Sequence, residues 1–164
     1  MGKWFLVALV VGMVVFSGVE AAGSLTVSFE RLSLETARRI ADTALVDCRE
    51  KGIQIGVTVV DRDGISQVVL RDSIAPRIAL EISRGKAYAA AMFGVPTSEL
   101  GNRADTPIGR VPGLVMSAGG VPVQVGGTLL GAVGVSGAPS GEIDEACARA
   151  GVEAVRDDLE LGDD

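Results

Sequence analysis

The sequence contains no histidine. That absence excludes Ser-His-Asp and Cys-His nucleophile systems, zinc sites with imidazole ligands, and the His-ligated haem of globins and peroxidases. Two cysteines are too few for a Cys₄ metal site, and no C-x-x-C-H run offers covalent haem attachment. Aromatic residues are only 4% of the 164, with a single Trp and a single Tyr. The core must be built from Ala, Val, Ile and Leu, and 22 glycines permit close backbone approaches. An excess of basic charge is missing too: 15 Lys and Arg face 21 Asp and Glu, for a net charge of −6. Nucleic-acid binders normally carry a basic surplus or stripe, so no nucleic-acid partner is expected. What remains is a chain of one-domain length, 48% hydrophobic and 22% charged, able to bury a core.

A spanning helix needs about 20 apolar residues. The run Phe5 to Phe16 has twelve, preceded by Lys3 and followed by Ser17-Gly18-Val19-Glu20-Ala21. A charged start, a short apolar run and small residues before the cut describe a secretory signal. Residues 1–21 are therefore expected to be removed, leaving no stable membrane insertion and a periplasmic or secreted protein. Residues 22–31 read as an N-terminal arm or short strand, since Leu25 to Phe29 alternates in polarity. Residues 32–164 read as one domain.

Ser33 is placed to cap a helix running to about Lys51, with Leu34, Ala37, Ala41, Ala44, Leu45 and Cys48 on its inner face. Ile53 to Val60 and Ile65 to Leu70 are rich in β-branched residues and flank the turn Asp61-Arg62-Asp63-Gly64, which predicts a hairpin. Pro76 suits the first turn of a second helix ending near Phe93, stopped by Gly94 and Pro96. Thr97 to Leu100 suggests one helical turn, and Gly101 to Gly113 a loop. Strands are expected at about 114–117, 121–125 and 129–136, the last two joined by Gly126-Gly127. A closing helix spans about Ser140 to Leu161. The order α-β-β-α-β-β-β-α with tight strand connections predicts an α+β, profilin-like domain. Its sheet is expected to have five antiparallel strands covered by helices.

Several motifs have plain structural readings. Asp61-x-Asp63-Gly64 begins like a calcium loop but lacks the later acidic ligands, so a turn is expected. Gly131, Gly134 and Gly137 recur every third residue without opening a helix, which suits close packing of a helix on a strand. Ser136 has no histidine to activate it, and no catalytic residue is assigned. Arg84 and Tyr88 lie one helical turn apart and share a face, so with Lys86 they could hold an anionic or flat ligand or serve a subunit contact. The backbone at Gly119-Gly120 could bind an anion or simply form a turn. Cys48 and Cys147 lie on the apolar faces of the first and last helices. Were those helices antiparallel neighbours, the cysteines would meet and form a disulfide; the alternative is two ordinary buried thiols.

Two blocks, ISRGKAYAAAMFGVPTSEL and AGGVPVQVGGTLLGAVGVSGAPSGEIDEACARAG, resemble the GlcG/HbpS family of haem-binding, so-called haem-degrading, domains. The C-terminal domain of the cobalamin-pathway protein PduO is similar. The resemblance runs from about Leu32 to Leu161. It implies a five-stranded sheet, homo-oligomeric assembly and, in some members, haem binding. Ala89 stands where many relatives have Thr, and Ala118 where they often have Glu. With histidine absent, Tyr88, Met116 and Met92, besides the cysteines, are the side chains able to ligate haem iron. The expected function is capture of a small ligand, with haem the leading candidate cofactor. Arg84, Lys86, Tyr88, Gly119 and Gly120 would be the binding residues. The alternative is a non-catalytic subunit that docks to an exported oxidoreductase or to itself.

Overall fold

The computed structural model of the protein describes residues 25–162, so the expected signal segment, residues 1–21, lies outside the described residues. Three helices and four strands follow in order: α1 Leu34–Glu50, β1 Gly56–Asp61, β2 Ser66–Arg71, α2 Ile78–Phe93, β3 Gly120–Val125, β4 Thr128–Ser136 and α3 Gly141–Glu160. Two 3-10 turns, Thr97–Arg103 and Pro107–Arg110, lie between α2 and β3. The sheet is antiparallel throughout, in the order β2-β1-β4-β3.

Local chemistry explains most boundaries. The Ser33 hydroxyl accepts the Thr36 N–H at 3.1 Å and opens α1. Gly94 takes the left-handed conformation (φ 66°) that closes α2. The Asp61 carboxylate accepts the N–H groups of Asp63 and Ile65, each at 2.9 Å, and closes the β1–β2 turn. It also accepts the Arg31 guanidinium at 3.0 Å. This carboxylate is spent on the turn, as expected for a hairpin rather than a calcium loop.

One expectation fails. Residues 114–117 form no strand, so the sheet has four strands rather than five. The reason lies in where the backbone bonds go. The Val115 N–H donates to the Gly85 carbonyl of α2 at 3.2 Å, so the segment lies across a helix instead of along a sheet edge. Gly85 makes room for it, because a Cβ there would sit 2.5 Å from Val115 Cγ2. Of the two alternatives for Leu25 to Phe29, an arm or a short strand, the described residues take the arm, with Leu25, Val27 and Phe29 exposed.

The sheet separates two layers. Helices α1 and α3 pack together on one face, over Val57, Val59, Val133 and Val135. Helix α2 lies on the other, over Gly56, Thr58, Ala132 and Gly134. A Cβ on Gly134 would come within 2.0 Å of the Ser83 carbonyl oxygen. Of the three glycines that recur every third residue, only Gly134 meets α2; Gly131 lies against Val60 and Leu32 and Gly137 against Gln54 and Ile55, because a three-residue step on a strand alternates faces.

Candidate functional site

The outward face of α2 carries Arg84, Tyr88 and Met92 at successive four-residue steps, so all three lie along one stripe. The β1–β2 turn closes one side of it. Gly64 (φ 80°) is so near the half-buried Tyr88 ring that a Cβ there would lie 2.4 Å from Tyr88 Cδ2 and 3.3 Å from Met92 Cε. The Pro112-Gly113 turn borders the other side, held there by the Val115–Gly85 bond. Between them opens a cleft of about 400 Å³ lined by Asp63, Ile65, Glu81, Arg84, Tyr88 and Pro112. That volume lies in the range of small-molecule sites. Among the described residues, the Arg84 guanidinium has no ion-pair partner, whereas the Asp63 carboxylate is taken by Arg31.

The other sequence-predicted ligand residues are not in this cleft. Lys86 is buried, and its ammonium donates to Asp144 Oδ2 at 2.7 Å and to the Val135 carbonyl at 3.0 Å. Two residues on from Arg84, it points through the opposite side of the helix toward β4 and α3. Gly119 and Gly120 are also spoken for: their N–H groups donate to Glu145 Oε2 (3.3 Å) and Thr97 Oγ1 (2.8 Å). These N–H groups leave nothing for an external anion. Met116 is buried with Ala89 and Leu100 in a small apolar cluster; of the three axial candidates only Tyr88 lines the cleft, while Met92 lies exposed one turn further along the same stripe.

Sequence reasoning missed the two buried acids, Asp144 and Glu145, that pair with Lys86 and with the backbone of Gly119. Asp144, in the first turn of α3, accepts Lys86 and also the Ala138 N–H at 2.9 Å. Burial pushes its carboxyl above the ordinary Asp range, although Lys86 and the Ala138 N–H pull the other way. Glu145 accepts from Ser98 Oγ at 2.9 Å, from Gly119 and from Arg149. Two consecutive acids at a helix start read from sequence as ordinary dipole-complementing residues, so nothing local flagged them as buried. The cleft walls, too, come from turns distant in sequence.

Beneath the other face of the sheet, Cys48 and Cys147 are fully buried and joined as a disulfide, with Cα atoms 5.6 Å apart. The end of α1 and the start of α3 meet there.

Residues 32–153 match the family described as haem degrading protein HbpS-like. The chain belongs to this family. Protein GlcG of Escherichia coli is 35% identical over 109 residues, covering 64% of this chain and 81% of GlcG. A crystal structure of HbpS is 37% identical with a TM-score of 0.77, covering 84% of this chain and 99% of HbpS. A PduOC:heme complex is 24% identical with a TM-score of 0.70, covering 76% of this chain and 94% of that one, which shows a shared fold. The GlcG/HbpS resemblance read from the two sequence blocks thus holds.

Proposed function

We propose that the protein is an exported haem-binding protein that sequesters or delivers its ligand, with the α2 cleft as the binding site. The observation that carries this reading is the Arg84 guanidinium, without an ion-pair partner among the described residues, beside the half-buried Tyr88 in a cleft whose walls mix apolar Ile65 and Pro112 with the carboxylates of Asp63 and Glu81. The donor set fits the group. A guanidinium pairs with a propionate, and Ile65 and Pro112 offer surface to a flat macrocycle. Tyr phenolate and Met thioether are both established haem ligands, and Tyr88 and Met92 lie on the same stripe. Haem would supply redox-active iron; this chain would orient it and shield one face from water. The family membership supports a haem interaction, and residues 1–21 support export.

Haemin titration followed by absorption spectroscopy tests the proposal. The expected result is a Soret band saturating near one haem per chain. Arg84→Glu should weaken binding more than Arg84→Ala, and Tyr88→Phe should change the spectrum if Tyr88 ligates iron. A wild-type titration indistinguishable from free haemin would overturn the reading. Equal curves for wild type and both Arg84 variants would remove Arg84 from the site.

A second reading, assembly with itself or with an exported oxidoreductase, is favoured by exposed apolar side chains. Ile65, Val69, Ile74 and Ile78 stand exposed on β2, at its flanks and at the start of α2. Light scattering at micromolar concentration decides self-assembly: a monomer would refute it.

A further inference from the structure

We propose that Gly64 and Gly113, in two turns on either side of α2, are positioning residues that clamp the Tyr88 ring and present its unbonded phenol oxygen to haem iron. This deepens the haem reading above and rests on it.

The ring is held from opposite edges by backbone. At Gly64 an added Cβ would lie 2.4 Å from Tyr88 Cδ2 and 2.7 Å from Cε2; at Gly113 it would lie 3.9 Å from Cδ1. Both glycines have left-handed backbones, φ 80° and 89°. Neither turn is free to retreat. The Gly64 N–H donates to the Asp61 carbonyl at 2.9 Å, and the Asp61 carboxylate accepts the N–H groups of the residues on either side. The Gly113 carbonyl rests against α2, 3.1 Å from where a Gly85 Cβ would stand.

The hydroxyl is treated differently from the ring. Tyr88 is half-buried, yet it has no hydrogen-bond partner among the described residues. A buried tyrosine hydroxyl usually finds one. This oxygen is not sealed in either: among the described residues, the buried side-chain polar atom without a partner is Gln67 Oε1. A hydrogen bond to the phenol would orient it but occupy the lone pairs that a metal needs. Contact along the ring edges orients it and leaves the oxygen open. Partners that only orient a ligating side chain matter nearly as much to a metal site as the ligand itself.

The β3–β4 hairpin supplies the internal comparison. Gly127 has nearly the same backbone, φ 84°, and nothing lies within 4 Å of an added Cβ. The left-handed conformation alone accounts for glycine there. At Gly64 the Tyr88 ring adds a second demand.

The test sets Gly64→Ala against Gly127→Ala in the full chain as the cell processes it. Both put a methyl on a left-handed backbone, so both carry closely similar strain. Tyr88 is the single tyrosine of the chain, so carbon-13 labelling of tyrosine reports its ring alone, without haem. Gly64→Ala should move those signals and Gly127→Ala should leave them in place. In haemin titrations Gly64→Ala should weaken binding at least about tenfold, the scale of a lost orienting contact. Its absorption spectrum should shift toward that of Tyr88→Phe, and in a Tyr88→Phe background it should cause no further change. Gly127→Ala should bind as wild type does. Asn tolerates the left-handed region, so Gly64→Asn repeats the test if the alanine variant does not fold. Unmoved ring signals in the Gly64 variants, moved signals with unchanged haemin binding, or equal effects of the Gly64 and Gly127 exchanges would each overturn the clamp and leave the haem reading standing. A wild type that binds no haemin would overturn both.

Discussion

The two faces of the sheet are built to opposite rules. Toward α1 and α3, Val57, Val59, Val133 and Val135 interdigitate with Ile40, Leu45 and Val152, and a disulfide ties the helices together. Toward α2, Gly56, Thr58, Ala132 and Gly134 present little side-chain volume, and Val60 packs on the alanines of the helix. Large side chains stabilise by burial, about 1.5–3 kcal/mol each. Small ones stabilise by proximity, and proximity brings polar groups inside that then need partners. Thr58 meets Ser83 at 2.9 Å, and Lys86 meets Asp144. The valine layer can be repacked and still hold, but the α2 layer is fixed by specific pairs. A helix fixed in that way presents Arg84 and Tyr88 in a set place on its far side.

The largest test of this contrast is Lys86→Ala. It leaves the Asp144 carboxylate buried without its cation, and breaking a buried pair costs about 3–5 kcal/mol. Chemical denaturation should show that loss at neutral pH. The pH dependence has a definite sign. Asp144 is held above the ordinary value of 3.8, so the folded state binds a proton more readily than the unfolded one. Its contribution is most favourable below pH 3.8 and falls as pH rises through the folded value. The penalty in Lys86→Ala should therefore grow as pH rises out of the acid range. A pH-independent loss below about 1 kcal/mol, the scale of an exposed pair, would make the two layers energetically alike.

Next comes the covalent tie. Replacing both Cys48 and Cys147 by Ser should cost about 2–4 kcal/mol, since the bridge spans a sequence separation of 99. Alkylation of the unfolded, unreduced protein should label neither cysteine. Two labels per chain would show that burial alone holds α1 to α3.

Gly134→Ala should destabilise by about 1–3 kcal/mol, because the new methyl meets the backbone at Ser83 and Ala87 and only a shift of α2 relieves it. Gly101→Ala is the control, with nothing within 4 Å of the added atom. If the two exchanges cost the same in thermal melts, the close approach of α2 is not what holds that layer.

The apolar face of α1 and the β-branched runs of the strands were legible because each is a periodic or compositional pattern along one element, whereas the three-residue glycine spacing was not, since only Gly134 of the three meets α2. The helices, the hairpin and the Gly94 stop were legible for the same reason. The fifth strand was not: residues 114–117 look apolar and extended, and only Gly85, 30 residues earlier in the chain, turns them onto α2. Lys86 misled in the same way. A lysine between Arg84 and Tyr88 looks like one of three binding groups, but on a helix two residues apart means nearly opposite faces. The Asp144 that claims it is 58 positions away. Periodicity reveals which face a residue takes, whereas its partner across the fold is set by topology.

The smallest expected effect is on stability, and it sharpens the comparison most. Arg84→Ala should shift the unfolding free energy by no more than about 0.5 kcal/mol, because an exposed guanidinium with no ion-pair partner among the described residues leaves nothing buried behind it. Two residues along the same helix, the Lys86 exchange should cost several times more. Haemin titration should reverse the ranking if Lys86→Ala still folds: Arg84→Glu weakens capture, while Lys86→Ala alters it only through the position of α2. A loss of stability in Arg84→Ala comparable to that of Lys86→Ala would mean that the outer face of α2 is structural. The cleft would then be a gap between turns rather than a site.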